Sequence, residues 1–147
     1  MNENGKGKVD GRIIAVADDP AVVRFTLHVL GEQGGFDVIH VADPITAIRR
    51  IRSEPWDLVL ADFDLSRMSG LDLAEWVSGT KPELPVAVIV TRQIQPEDLA
   101  LLLHHAAEVL HMPVPPMQLI AIVTGLIWRA QVGPHASTAC NDPRRPR

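Results

Sequence analysis

At 147 residues the chain is long enough for one ordinary domain with short tails. Hydrophobic residues at 46% and charged residues at 22% fit a soluble globular protein and exclude a disordered one. The net charge of -4 leaves no global basic field for nucleic acid, and a single Cys, Cys140, excludes an internal disulfide framework and a cysteine-built zinc cluster.

Residues 1–11 are polar and Gly/Lys-rich, lack a signal-peptide apolar stretch, and read as a flexible tail. Ile13 to Ala17 is an apolar run stopped by Asp18-Asp19-Pro20, the pattern of a buried strand followed by a helix start. The helix is expected from Pro20 to about Gln33, with Val22, Val23, Thr26, Val29 and Leu30 along one stripe and Gly34-Gly35 ending it. Phe36 to Val41 reads as a second strand. Asp43 then serves as N-cap and Pro44 as first helical residue of a helix reaching Arg52 or Ser53. Asp57 to Ala61 is a third strand ending at Asp62, and a helix from Gly70 to Ser78 follows a loop of small and polar residues.

Pro85 to Val90 is the fourth strand, ending at Thr91. Pro96 to His105 is the fourth helix, Glu108 to Leu110 the fifth strand and Pro115 to Trp128 the fifth helix. Val109 to Trp128 carries no Asp, Glu, Lys or Arg, but Pro113, Pro115, Pro116 and Gly125 interrupt it and exclude one continuous membrane helix. The expected compartment is the cytoplasm, with neither a membrane nor a direct nucleic-acid partner. Residues 131–147, rich in Gly, Pro, Ser, Thr and Arg, read as a second flexible tail, leaving 12–130 as the folded domain.

Five strand-helix pairs with nearly continuous apolar strands predict an α/β fold: a parallel sheet covered by helices on both faces. Right-handed crossovers leave the flavodoxin-like doubly wound order 2-1-3-4-5 as the common solution. In such a sheet, ligands bind beyond the carboxyl ends of the strands. Here the first strand delivers Asp18 and Asp19, the third Asp62 and the fourth Thr91, all on adjacent strands of that order. Each Asp alone is ordinary cap or loop chemistry. Three carboxylates in one cleft repel one another unless a hard cation neutralises them, and Mg²⁺ with waters and phosphate oxygens suits them.

These residues resemble the receiver domain of two-component response regulators, over about Arg12 to Arg129. Asp18-Asp19 is similar to the family's acidic pair. The stretch Asp57-Leu-Val-Leu-Ala-Asp62-Phe-Asp-Leu-Ser-Arg-Met-Ser-Gly70-Leu is similar to its phosphoacceptor strand and loop. Thr91 resembles its switch hydroxyl, and Met112-Pro113 falls where the family has Lys before a cis Pro. The resemblance implies a stand-alone receiver, not a turnover enzyme, that accepts phosphoryl on Asp62 from a histidine kinase or phosphotransfer protein. Mg²⁺ held by Asp19, Asp62 and the backbone carbonyl of Asp64, with Asp18 acting through water, would offset charge on the transferred group. Thr91 would hydrogen-bond a phosphoryl oxygen.

Four positions depart from the family's pattern. Met112 cannot replace the Lys, and Lys6, Lys8 and Lys81, the only lysines, lie in the tail or toward the opposite end of the sheet. Val109 stands where the family has a switch aromatic, and the chain has no Tyr. Ser66 stands at the usual Pro, and Arg92 at the usual small residue after Thr91. Arg92 admits two readings: a solvated loop arginine, or a guanidinium standing in for the missing ammonium. A second functional reading also stays open, a phosphorylation-independent receiver-like interaction module; an Asp-nucleophile phosphatase lacks its further catalytic residues. The apolar Leu99–Leu103 and Leu119–Ile127 stretches read as a homodimer face made of the fourth helix, fifth strand and fifth helix.

Overall fold

The computed structural model describes residues 11–141. Five strands, β1 (Arg12–Val16), β2 (Asp37–Val41), β3 (Leu58–Asp62), β4 (Val86–Val90) and β5 (Glu108–His111), form one sheet in the order β2-β1-β3-β4-β5. Every pairing is parallel. The helices are α1 (Pro20–Thr26, continuing as a wider π-helical segment over Leu27–Gln33), α2 (Pro44–Ser53), α3 (Gly70–Thr80), α4 (Pro96–His105) and α5 (Pro116–Asn141). The expected flavodoxin-like topology is the observed one.

Side chains alternate across the sheet because the strand repeat is two residues. Ile14 and Val16 of β1, Val59 and Ala61 of β3, and Val86, Val88 and Val90 of β4 face one core with Ala47, Ile51, Leu73, Ala74, Val77 and Leu102 of α2, α3 and α4. Ile13, Leu58, Leu60, Ala87 and Ile89 face the other, with Val22, Val29, Leu30, Leu119, Val123, Leu126 and Ile127 of the α1 and α5 side. Both faces of β3 and β4 are thus sealed, and a one-residue slip of register would exchange the two cores. The edge strands β2 and β5 are only partly buried.

Helix starts follow from the sequence. The Asp19 side chain accepts from Ala21 N at 2.9 Å and the Asp43 side chain from Ile45 N at 3.3 Å, each followed by Pro at the first helical turn. Ser69 and Asp72 make a reciprocal capping box at α3, with contacts of 3.1 and 3.2 Å. The first two caps turn the chain within three residues of the ends of β1 and β2, whereas Ser69 lies seven residues beyond the end of β3.

Three details differ from the sequence expectations. The second half of the first helix is π-helical: Gly34 N–H donates to Val29 O at 2.9 Å, five residues back, and Gly35 then adopts φ 79 to release the chain into β2. Helix α5 continues through Gly133 and Pro134 to Asn141, past the expected end near Trp128. A proline removes one helical hydrogen bond without forbidding the turns beyond it, and good helix formers such as Ala130, Gln131 and Ala136 flank this one. Gly11, at the end of the stretch expected as tail, is buried; a Cβ there would lie 2.8 Å from both Ile127 Cδ1 and Phe36 Cδ1. Residues 1–10 and 142–147, the remainder of the expected tails apart from 131–141, lie outside the described residues.

Gly70 locks α3 onto the end of β3. A Cβ there would meet Asp62 O at 2.6 Å and Phe63 Cα at 2.9 Å, both backbone atoms that cannot swing aside, while Gly79 on the same helix has open space. We expect Gly70→Ala to destabilise the fold by about 1–3 kcal/mol in urea unfolding. Gly79→Ala should be neutral or stabilising by up to about 1 kcal/mol. Equal effects would mean that the close approach does not fix the α3 start.

Candidate functional site

The carboxyl ends of β1, β3 and β4 lie side by side, with Val16 opposite Ala61 and Asp62 opposite Ile89. That register brings together the loops that carry Asp18 and Asp19, Asp62 and Asp64, and Thr91 and Arg92. Asp62 is the last residue of β3 and only 3% exposed, although it is an acid. The next residue, Phe63, is held at both of its backbone polar groups: its N–H donates to Ile89 O at 2.8 Å, and its carbonyl accepts from Gly70 N–H at 2.9 Å. Asp62 Oδ1 accepts the Asp64 N–H at 3.2 Å.

Burial pushes the Asp62 carboxyl above the usual Asp range. The Asp64 N–H opposes that rise, and the charges of Asp64, Asp19 and Asp18 add to it. The charges of Asp18, Asp19 and Asp64 thus all act on the Asp62 carboxyl. Asp18, Asp19 and Asp64 are exposed. Among the described residues, no three His, Cys, Asp or Glu side chains close into a ready-made cation cage. The donors available are hard oxygens around a buried acid that carries an excess of negative neighbours. A small divalent cation that keeps several waters suits such a set.

The other loop residues tie the mouth together. Arg92 grips Asp64 with both arms of its guanidinium, Nη2 to Oδ1 at 2.7 Å and Nε to Oδ2 at 2.9 Å, and its Cζ lies 5.6 Å from the Phe63 ring centroid. Ser66 Oγ donates to Asp18 Oδ2 at 2.6 Å. Arg67 Nη1 lies 3.6 Å from Asp43 Oδ1 at the start of α2. The loop after β3 is thereby fastened to the loops after β4, β1 and β2.

Arg92 fits neither of its two sequence readings in full. Its guanidinium is not free in solvent, and it rests on Asp64 instead of on Asp62. The charges that lead to these contacts were visible in the sequence, but the partners were not, because each pair joins residues 24 or more positions apart. Thr91 is exposed at the end of β4. Met112 follows β5, precedes a cis peptide to Pro113, and packs against the α1 and α5 core, while Val109 packs against the opposite core. Lys81 caps the end of α3 near the amino ends of β3 and β4, beside Trp56, Asp57, Glu83 and Pro85 in a groove of ≈ 340 Å³ at the end of the sheet opposite Asp62.

The family model of the response regulator receiver domain matches residues 13–124, and the chain belongs to that family. It is a receiver domain of two-component signalling. It is similar to the alkaline phosphatase synthesis transcriptional regulatory protein PhoP of Bacillus subtilis, 23% identical over 89% of this chain and 54% of that protein. It is also similar to the response regulator receiver protein CpdR of Brucella abortus, 32% identical over 53% of this chain and 64% of that protein. The sensor histidine kinase GacS of Pseudomonas protegens matches at 30% identity over 86% of this chain but only 14% of its own length. The chain thus spans less than two thirds of these relatives.

Solved structures share the fold. The CheY-like receiver domain protein of Methanospirillum hungatei superposes with a TM-score of 0.76 at 23% identity, covering 84% of this chain and 98% of that one. The receiver domain of a Pseudomonas aeruginosa sensor histidine kinase, which has a magnesium ion coordinated in its active site cleft, gives 0.73 at 21% identity, over 82% and 100%.

A native carboxyl with a raised pKa weakens the fold when it ionises; this penalty is absent below the ordinary Asp range, near pH 4, and complete above the native pKa. In chelator and without phosphate, Asp62→Asn should therefore melt at a higher temperature than wild type at pH 7. The difference should shrink toward zero as the pH falls below about 4. A pH-independent difference would contradict the buried-charge account of Asp62.

Proposed function

We propose that this chain accepts a phosphoryl group on Asp62 from a phosphorylated histidine of a kinase or phosphotransfer protein and signals through protein contacts. The observation that carries the reading is a buried Asp at the carboxyl end of the third strand, in the electrostatic field of Asp18, Asp19 and Asp64. The ionised Asp62 oxygen attacks phosphorus, an O–P bond forms, the N–P bond breaks, and its electron pair returns to the imidazole nitrogen of the donor. Asp19, Asp62 and the Asp64 carbonyl would hold Mg²⁺, with Asp18 reaching it through water, and its charge would offset that of the transferring oxygens. Thr91, one residue beyond β4, supplies a hydroxyl to a phosphoryl oxygen, and Arg92 is the cation that the same loop can offer. The reading assigns the chain to the cytoplasm as a phosphoacceptor, not as a turnover enzyme.

The test is incubation with Mg²⁺ and acetyl phosphate, followed by intact mass. Wild type should gain one phosphoryl group, labile to base, and Asp62→Asn should gain none. If wild type remains unmodified by acetyl phosphate and by a phosphorylated kinase, the phosphorylation-independent interaction module becomes the reading. Met112 and Val109 favour that outcome, since neither offers the charge or the aromatic ring of the usual switch.

The same reading includes a second copy of the chain as partner. Of the stretches expected at this face, Leu102, Leu119, Val123, Leu126 and Ile127 are instead buried in the two cores; Leu101 and Leu103 of α4 are 43% and 65% exposed, and Met117 and Trp128 of α5 are 75% and 61% exposed. These side chains are the apolar surface that a second copy would cover if they act as one patch. Sedimentation should report a dimer at high concentration that Leu103→Glu shifts toward monomer. A wild type that stays monomeric would remove this face from the proposal.

A further inference from the structure

The Arg92–Asp64 fork joins the loop after β4 to the loop after β3 at the mouth of the acidic pocket. Both side chains are about half exposed, 57% and 45%, so water screens the pair and little stability is lost when it parts. Asp64 is also coupled directly to Asp62: its N–H donates to Asp62 Oδ1, and its charge raises the Asp62 pKa. The fork therefore sits two residues from the buried acid, on a loop that is bonded to that acid. Arg67, the cation of the loop after β3, leans the opposite way onto Asp43. The residue after β5 is Met112, which has no charge to contribute.

We propose that Arg92 is a mobile counter-cation parked on Asp64, and that Asp64 sets how readily the guanidinium is surrendered to an anion seated on Asp62. The inference rests on the phosphoacceptor reading and adds a regulatory element to it. A phosphoryl group brings on the order of two negative charges and oxygens that a guanidinium binds in the same forked manner as a carboxylate. It competes with Asp64 for one cation and repels the Asp64 carboxylate at the same time. The exchange shifts the loop after β4, and with it the approach to α4, without the lysine or the aromatic ring that this chain lacks.

The test uses beryllofluoride at fixed Mg²⁺, its dissociation constant followed through backbone amide resonances that also report the fold of each variant. Asp64→Asn should bind several-fold tighter than wild type, since the cation is released from its parking site. Arg92→Gln should bind several-fold weaker. In the double variant the Asp64→Asn gain should vanish, leaving the affinity of Arg92→Gln alone. If both single variants weaken binding, the fork is only a staple between loops and the proposal fails. If Asp64→Asn still tightens binding in the Arg92→Gln background, the gain comes from removing a negative charge and the proposal also fails. If wild type shows no response that Asp62→Asn abolishes, the phosphoacceptor reading itself falls, and the counter-cation role falls with it.

Discussion

A carboxylate held at 3% exposure at the end of a fully buried strand is the constraint around which this receiver is arranged. An isolated ion is expensive to bury, and this one is surrounded by further acids. The fold accommodates it through placement. Parallel strands all end at the same edge, so the acid is buried within the sheet yet lies at its rim, where solvent and incoming ligands reach the loops around it. Backbone bonds at Phe63 and Gly70 then hold the chain just beyond the acid in place.

From that constraint the roles of the surrounding residues follow. Two sealed cores clamp β3 and β4 from both faces, so displacement of Asp62 into the interior has no space to use. Relief has to come from the loops, and the loops are where opposite charges and hydroxyls have been placed: Arg92 on Asp64, Ser66 on Asp18 and Arg67 on Asp43. Two of the four departures from the family pattern, Ser66 and Arg92, are among these contacts. At those two positions the unusual residue engages an acid of the pocket.

The fold was legible in the sequence because it depends on local signals. Runs such as Val86–Val90, Asp-Pro caps at Asp19 and Asp43, and the glycines at 34 and 35 each specify an element or its end without knowledge of the rest. The acids at strand ends were legible for the same reason, once the strand order was assumed. The Arg92–Asp64 fork was not, since rotamers and loop geometry decide which of several nearby acids an arginine will grip. The π-helical segment also escaped, because no residue type or spacing in Leu27–Gln33 marks i to i+5 bonding in place of i to i+4. The run of α5 through Pro134 escaped for the opposite reason, a local breaker signal that the surrounding helix formers override.

The ties at the mouth and the packing beneath it respond to different solution variables. Dissolved ions screen exposed charge pairs within a Debye length, whereas apolar contacts in the two cores do not weaken in that way. Ionic strength can therefore loosen the rim of loops while the sheet keeps its register. Such a molecule has a graded periphery on a cooperative body, and the salt content of its surroundings becomes an input to how tightly its loops are held.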